Sequence, residues 1–253
     1  MIKVLVLLAA ALTAPSADFT GIVATSGCSG AVVRVASATP GDHALVLTNG
    51  HCVRRMAAGE VLVDQRADRA FDVLGRAGAG TLGTVRAERL LYATMTGTDV
   101  ALYRLRSTYA EVAALGTRAL DLAPAGPSAG TAIRVVSGYW RRVYSCRVDA
   151  VVPTLREDVW TWHDSIRYSP ECDTVGGTSG SPVVDVASGL VVGVNNTANE
   201  DGARCTLDNP CEVAADGSVV VRRGIAYGQQ TGRLAACVVR DAFVCPAAPM
   251  VGS

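Results

Sequence analysis

Short apolar runs separated by turn residues dominate the chain. The runs that favour strands fall at residues 30–35, 44–47, 60–63 and 100–105, and then at 131–136, 147–152, 183–186, 190–194, 218–222 and 224–227. Glycine, proline and asparagine lie between them, as in strands joined by tight turns. Residues 123–130, rich in alanine, proline and glycine, predict a linker between two groups of strands. Only residues 109–114 and 232–244 favour helix, the first as a single short turn and the second as a C-terminal helix.

The composition is that of a folded protein with no strong charge bias. The chain has 253 residues, 49% of them hydrophobic, and a formal net charge of +0. This content excludes a largely disordered chain, and the length is sufficient for a substantial core. Because no basic or acidic excess exists, we expect neither a nucleic-acid nor a membrane-surface partner. We expect a monomer acting on a protein or peptide.

The first 17 residues have the pattern of a signal peptide. A basic start at Lys3 precedes an apolar run at 4–12 and small residues up to Ala17. The run is far shorter than the roughly 20 residues that span a bilayer. We therefore predict a secreted protein that is cleaved between Ala14 and Asp18. No cysteine follows the run directly, so a lipid anchor is not expected.

Eight cysteines in an exported chain indicate four disulfides. They are Cys28, Cys52, Cys146, Cys172, Cys205, Cys211, Cys237 and Cys245. Sequence alone leaves 105 pairings, although proximity favours Cys205 with Cys211 and Cys237 with Cys245. Zinc binding is the alternative, but no Cys-x2-Cys pair or histidine cluster is present. The acidic segment 199–211 favours a solvated disulfide loop over a calcium site. We predict no metal and no other cofactor.

One serine lies in an unusually glycine-rich segment. Residues 176–182 spell Gly-Gly-Thr-Ser-Gly-Ser-Pro, with Ser179 at the centre. A serine hydroxyl attacks an acyl carbon only with an adjacent base and a site for the resulting oxyanion. The N–H groups of Gly177 and Ser179 are candidates for that site, because glycine can turn its amide inward. The alternative is a hairpin turn of the same composition.

The chain offers three histidines and several acids as partners for Ser179. His51 follows an apolar run within Thr-Asn-Gly-His-Cys, whereas His43 and His163 favour ordinary loop or strand positions. Asp99 enters an apolar run within Thr-Asp-Val-Ala-Leu and can orient the imidazole. Less suitably placed acids are Asp64, Asp68, Asp72, Asp158 and Asp164. We predict a catalytic set of His51, Asp99 and Ser179.

The order and context of these three residues resemble the chymotrypsin-like (trypsin-like) serine peptidases over about 21–230. The resemblance implies an all-β fold of two six-stranded antiparallel barrels with the active site in the cleft between them, followed by a short C-terminal helix. The boundaries that follow are 18–123 for the barrel with His51 and Asp99, 124–231 for the barrel with Ser179, and 232–253 for the helix and tail. It also implies a Cys28–Cys52 disulfide, which leaves Cys146 and Cys172 for each other.

The sequence departs from the animal digestive branch of that family. Thr178 stands where that branch carries an aspartate, and no Ile-Val-Gly-Gly segment follows an early arginine. The pattern argues against activation by a newly cut N-terminus. The serine segment is more similar to the bacterial glutamyl-endopeptidase (V8-like) branch.

The residues that would select the substrate are less well defined. Asp173 matches the acid of members that bind arginine or lysine, with a loop acid as the alternative, and Thr174 matches a pocket threonine of the glutamyl endopeptidases. Asn195 replaces the histidine of those enzymes, which argues against strict glutamyl specificity. We expect a secreted serine endopeptidase. The alternative is an exported binding protein that retains the fold without useful turnover.

Overall fold

The computed structural model describes residues 17–76 and 80–250. The predicted signal segment therefore lies outside the described residues, except for Ala17. Two sheets account for nearly all of the regular structure.

The first sheet closes into a six-stranded barrel. Its strands are β1 (Ile22–Thr25), β2 (Cys28–Arg34), β3 (His43–Thr48), β4 (Val61–Arg66), β5 (Ala70–Leu74), β6 (Thr81–Thr94), β7 (Val100–Thr108) and β8 (Leu120–Asp121). The ring follows the order β1-β5-β6-β7-β3-β2 and closes through the antiparallel β1–β2 pair. β4 pairs with β6, and β8 pairs with β2 in parallel.

The second sheet forms another ring of six strands. Its strands are β9 (Ala132–Ser137), β10 (Arg142–Glu157), β11 (Trp160–Tyr168), β12 (Pro182–Asp185), β13 (Val191–Ala198), β14 (Cys211–Val213), β15 (Val219–Val221) and β16 (Ala226–Gln230). The order β11-β16-β13-β12-β9-β10 closes through β10 and β11, and β14 and β15 extend from β10. The predicted all-β double barrel is confirmed.

Tryptophan side chains of β11 join the two barrels. The indole N–H of Trp160 donates to the carbonyl of Met56 at 3.0 Å, and that of Trp162 donates to the carbonyl of Met95 at 2.8 Å. Both rings are buried with apolar residues of the first barrel. These contacts satisfy each buried N–H while the ring contributes apolar area. They fix one side of the cleft between the barrels.

The helices are short. α1 (Tyr109–Ala114) matches the predicted helical turn and begins with a capping box formed by Thr108 and Glu111. The predicted C-terminal helix at 232–244 is too long, because α2 (Gly232–Ala236) ends after five residues. A hairpin of β17 (Val238–Val239) and β18 (Ala242–Phe243) follows. The β-branched pair in β17 suits a strand, and the Cys237–Cys245 disulfide links the two ends of the hairpin.

All four expected disulfides are present. They join Cys28 to Cys52, Cys146 to Cys172, Cys205 to Cys211, and Cys237 to Cys245. Such bridges persist in oxidising surroundings, which indicates an extracellular or periplasmic protein. Neither helix in the described part of the chain has the length and apolarity needed to span a membrane.

Candidate active site

Two antiparallel strands bring His51 and Asp99 together. His51 follows the end of β3, and Asp99 precedes the start of β7, which pairs with β3 through Thr48 and Ala101. Nδ1 of His51 lies 2.7 Å from Oδ2 of Asp99. The backbone N–H of His51 also donates to Oδ1 of Asp99, at 3.1 Å. The carboxylate thus contacts both the ring and the backbone of His51, which fixes the orientation of the imidazole. Because Asp99 contacts Nδ1, Nε2 is the ring nitrogen left to exchange a proton with a substrate or a nucleophile.

The electrostatic surroundings favour the protonated form of His51. Burial is the largest single effect and lowers the pKa of the imidazole, but the charge and the hydrogen bond of Asp99, together with nearby carboxylates, raise that pKa above its ordinary value of 6.5. Glu157 and Asp208 add smaller effects of the same sign. The side chain of His51 remains 29% exposed, which limits the effect of burial. A base of this kind can accept a proton and hold the positive charge that results.

Asn49 connects the Asp99 segment to the serine loop. Its side-chain N–H donates to the carbonyl of Asp99 at 2.8 Å, and its Oδ1 accepts from the N–H of Gly180 at 2.5 Å. Asn49 is fully buried. Asn49 lies in the Thr-Asn-Gly-His-Cys motif, but no sequence pattern indicates this role. Asn49 thus links the first barrel to the serine loop of the second through two hydrogen bonds.

Ser179 lies in the loop between β11 and β12. Its hydroxyl donates to the carbonyl of Asn196 at 3.4 Å, which is a long hydrogen bond. Ser179, His51 and Asp99 line one cavity of about 330 Å³. Gly180 follows with a φ of +79°, and a Cβ atom there would lie 2.1 Å from the carbonyl oxygen of Ser29. Only glycine permits this close approach of the serine loop to the first barrel.

The amides of Gly177 and Ser179 are available to a ligand. Neither donates a hydrogen bond to any residue in the described ranges. Gly177 has a φ of +86°, a left-handed conformation that favours glycine. Thr178, between them, is buried and donates its hydroxyl to the carbonyl of Val175 at 2.5 Å. The loop is therefore held by its own threonine while the two flanking amides stay free.

The predicted specificity residues occupy different environments. Thr174 and Asn195 line the cavity, whereas Asp173 is exposed and does not. The amide N–H of Asn195 donates to the Thr178 hydroxyl at 3.0 Å. Since that hydroxyl gives its own proton to Val175, it must accept from Asn195, which fixes the orientation of the amide. Oδ1 of Asn195 is buried and accepts no hydrogen bond from the described residues.

A buried carboxyl that sequence reasoning missed also lines the cavity. Glu157, at the end of β10, is 4% exposed. It accepts from the Thr197 hydroxyl at 2.5 Å and from the N–H of Asp208 at 3.1 Å. Burial is the main cause that raises the pKa of Glu157 to about 7. Nothing local in the sequence distinguishes this acid from the others, because its burial arises from the folding of distant segments.

The remaining candidate histidines and acids lie elsewhere. Nδ1 of His43 contacts the carbonyl of Leu105 at 2.9 Å, and His163 does not line the cavity. The acids considered less suitable in sequence are also absent from its lining: Asp64, Asp68, Asp72, Asp158 and Asp164.

Two groups of side chains could be taken for metal sites. The sulfur atoms of Cys28 and Cys52 lie close to a ring nitrogen of His51. Because they are joined to each other, they have no thiolate to offer a metal ion. In the acidic segment 199–211, the side chains of Asn199 and Asn209 bond to backbone groups of the same loop. These contacts agree with a disulfide-closed loop.

The fold and site together define a chymotrypsin-like double barrel with a serine, a histidine and an aspartate in its cleft. The trypsin-like peptidase domain matches residues 28–194. This chain belongs to the trypsin-like peptidase family. No curated protein sequence matches the chain.

Solved structures share the fold at low sequence identity. The MamO protease domain from Magnetospirillum magneticum is 14% identical, with a TM-score of 0.55, over 87% of this chain and 96% of that one. The Rv3671c protease from M. tuberculosis in its active form is 16% identical, with a TM-score of 0.50, over 92% of this chain and 86% of that one. At such identities the similarity concerns the fold alone.

Proposed function

We propose that the protein is a secreted serine endopeptidase that hydrolyses peptide bonds through an acyl-enzyme on Ser179. The observation that carries the proposal is the 2.7 Å contact between His51 and Asp99 in the same cavity as Ser179. Family membership supports peptidase chemistry. The signal-peptide pattern and the four disulfides support export.

The first half of the reaction acylates the serine. Nε2 of His51 takes the proton of the Ser179 hydroxyl as Oγ bonds to the substrate carbonyl carbon. This requires Ser179 to give up its weak bond to Asn196. The carbonyl oxygen becomes an oxyanion, which the N–H groups of Gly177 and Ser179 stabilise. His51 then donates its proton to the leaving amine as the C–N bond breaks.

The second half releases the acid product. Water replaces the amine, and His51 takes a proton from it as the water oxygen bonds to the acyl carbon. The ester bond to Oγ breaks, and the proton returns to Ser179. Asp99 stays ionised throughout and stabilises the imidazolium that forms in each half.

The cavity lining bears on the substrate. Carboxyl groups of Asp99, Glu157, Glu200 and Asp208 line it, with the guanidinium of Arg55 as the opposing charge. Asn195 offers a buried acceptor oxygen and no cation. An anionic substrate side chain would therefore meet repulsion, so we do not expect glutamyl specificity. Cleavage of a mixed peptide library measures the preference, and strong selection for glutamate at the cleaved bond contradicts this expectation.

The test of the activity uses diisopropyl fluorophosphate on the folded protein. An activated Ser179 forms an Oγ–P bond, fluoride leaves, and His51 takes the hydroxyl proton. We expect stoichiometric loss of peptidase activity together with a mass increase on the peptide that contains Ser179. Ser179→Ala should not react. A folded wild-type protein that does not react would refute the enzyme and favour the binding-protein alternative.

A further inference from the structure

The Gly176–Gly177 peptide contains the Gly177 N–H, one of the two donors of the proposed oxyanion site. The two glycines do not by themselves fix the orientation of this peptide plane. Both of its residues lack a Cβ, so little in the chain opposes rotation of this peptide plane. In a planar trans peptide the C=O and N–H point in opposite directions. A reversed plane would direct the carbonyl of Gly176 at the substrate in place of the Gly177 N–H. Something outside the glycines must therefore favour one orientation.

Trp140 contacts this peptide directly. Its indole N–H donates to the carbonyl of Gly176 at 2.7 Å. Gly176 lines the cavity, whereas Trp140 does not. The bond directs the carbonyl at a ring that lies outside the cavity lining, and the N–H of Gly177 then points the opposite way in the planar trans peptide. No other donor to the Gly176 carbonyl exists among the described residues.

The backbone of Trp140 is itself anchored. It lies in the hairpin turn between β9 and β10, where Ser137 pairs with Arg142. Its N–H donates to the hydroxyl of Ser137 at 3.2 Å, and that hydroxyl lies 3.1 Å from the hydroxyl of Ser29. Ser29 in turn donates its N–H to the carbonyl of Ser179 at 2.8 Å. The turn that carries Trp140 is thus connected through Ser137 and Ser29 to the backbone of Ser179.

The ring is not placed there by burial alone. Trp140 is 51% exposed, so a large part of the indole gains nothing from the core. An added Cβ on Gly177 would lie 3.0 Å from Nε1 of Trp140, which shows how closely the indole approaches this residue. The contacts of Ser137 and Ser29 with the turn, and the close approach of the ring to Gly177, together fix the position of the indole N–H.

We infer that Trp140 is a positioning residue that holds the Gly176–Gly177 peptide with the Gly177 amide directed at the oxyanion. The inference rests on the proposed serine-peptidase function. It assigns Trp140 no contact with the reacting atoms. Its effect is on the fraction of molecules in which the oxyanion site is complete.

Two substitutions separate the donor from the bulk of the ring. Trp140→Phe removes the N–H and keeps an aromatic ring. Trp140→His keeps a ring nitrogen at the same distance from Cβ along the ring and serves as the matched control. Thermal unfolding midpoints test whether both variants fold, which we expect for a half-exposed position.

The primary measurement is the second-order rate of phosphorylation by diisopropyl fluorophosphate, whose phosphoryl oxygen needs the same site. We expect Trp140→Phe to lose about fivefold, which corresponds to about 1 kcal/mol and to the net contribution of one hydrogen bond. Trp140→His should stay within about twofold of the wild type. With fluorescein-labelled casein, kcat should fall in Trp140→Phe while KM stays unchanged.

Three results would overturn the inference. These are an unchanged phosphorylation rate in Trp140→Phe, equal losses in both variants, and a change confined to KM, which would make the indole a substrate contact. Failure of the proposed function is distinguishable, because in that case the wild-type protein itself does not react.

Discussion

Glu157→Gln should stabilise the protein at alkaline pH and leave its stability almost unchanged in acid. The carboxyl is buried, and burial raises its pKa to about 7 from an ordinary value of 4.5. The nearby carboxyls of Asp208 and Asp99 act in the same direction, while hydrogen bonds from Thr197 and the backbone of Asp208 oppose them. Glutamine has nearly the same shape and carries no charge at any pH.

The sign follows from proton binding. Between about pH 4.5 and pH 7 the folded state keeps the proton that the unfolded state has lost, so the free energy of unfolding falls as the pH rises. Below that window both states hold the proton, and above it the folded state bears the full cost of a buried charge. The rise in the pKa of Glu157 corresponds to a cost of about 3 kcal/mol. At pH 8.5 we therefore expect Glu157→Gln to be more stable by up to about 3 kcal/mol.

The assay is urea unfolding at pH 4 and pH 8.5, followed by tryptophan fluorescence. Ser179→Ala as the common background removes self-digestion. At pH 4 the difference between glutamate and glutamine should nearly vanish. Glu200→Gln is the matched control, because Glu200 lines the same cavity but is exposed, and water solvates its charge in both states. A stability difference at Glu157 that is the same at both pH values would refute the reasoning.

Three further predictions concern the catalytic set and its loop. Asp99→Asn should lower kcat on labelled casein by about 10⁴-fold if the geometry is retained, because the imidazole loses its counter-charge and its tautomer; a loss below tenfold contradicts the proposed role. Thr178→Val should lower the free energy of unfolding by about 1 to 3 kcal/mol, because the buried amide of Asn195 loses its acceptor, while Thr178→Ser should stay near the wild type in the same urea assay. Protein that begins near Asp18 should react with diisopropyl fluorophosphate as purified, and reactivity that emerges only after trimming well beyond that point, as followed by mass spectrometry, argues against this.

The architecture could be predicted because its determinants are repeated along the sequence. Apolar runs bounded by turn residues located most strands, and the order of three motifs indicated the double barrel. The strands that the apolar runs did not locate are mainly those that form through pairing with neighbouring strands and have no clear apolar pattern of their own. β6, for example, is 14 residues long and carries arginine and threonine at exposed positions, which hide its buried positions in a linear pattern.

The C-terminal segment shows why local propensity is insufficient. Leucine and alanine at 234–236 favour helix, and they form the last three residues of α2, which begins at Gly232 as expected. The chain then turns at Arg240, which has a φ of +58°. Its guanidinium pairs with the buried carboxylate of Asp42, a partner 198 residues away in sequence. Neither that pairing nor the course of the following hairpin has a local signal.

The residues of the candidate site likewise fall into those with a local sequence signal and those without one. His51, Asp99 and Ser179 could be predicted because each lies in a short motif whose composition the chemistry itself requires. Glu157 and Trp140 could not, because each matters through a contact that only the folded chain creates. The exposed position of Asp173 belongs to this second group, since proximity in sequence to Ser179 does not decide which side chains enter the cavity.

The contacts around Thr178 bear on how the serine loop keeps its shape. On the second barrel, Thr178 bonds to Val175 and Asn195, at the position where the digestive branch uses an aspartate. On the first barrel, Ser29 donates to the carbonyl of Ser179 at 2.8 Å and Asn49 accepts from Gly180 at 2.5 Å. These bonds are made by neutral groups within the folded barrels, and none involves a terminal amine. A loop held in this way has no need of an ion pair formed by cleavage, which supports the expectation that the protein is not activated by a newly cut N-terminus.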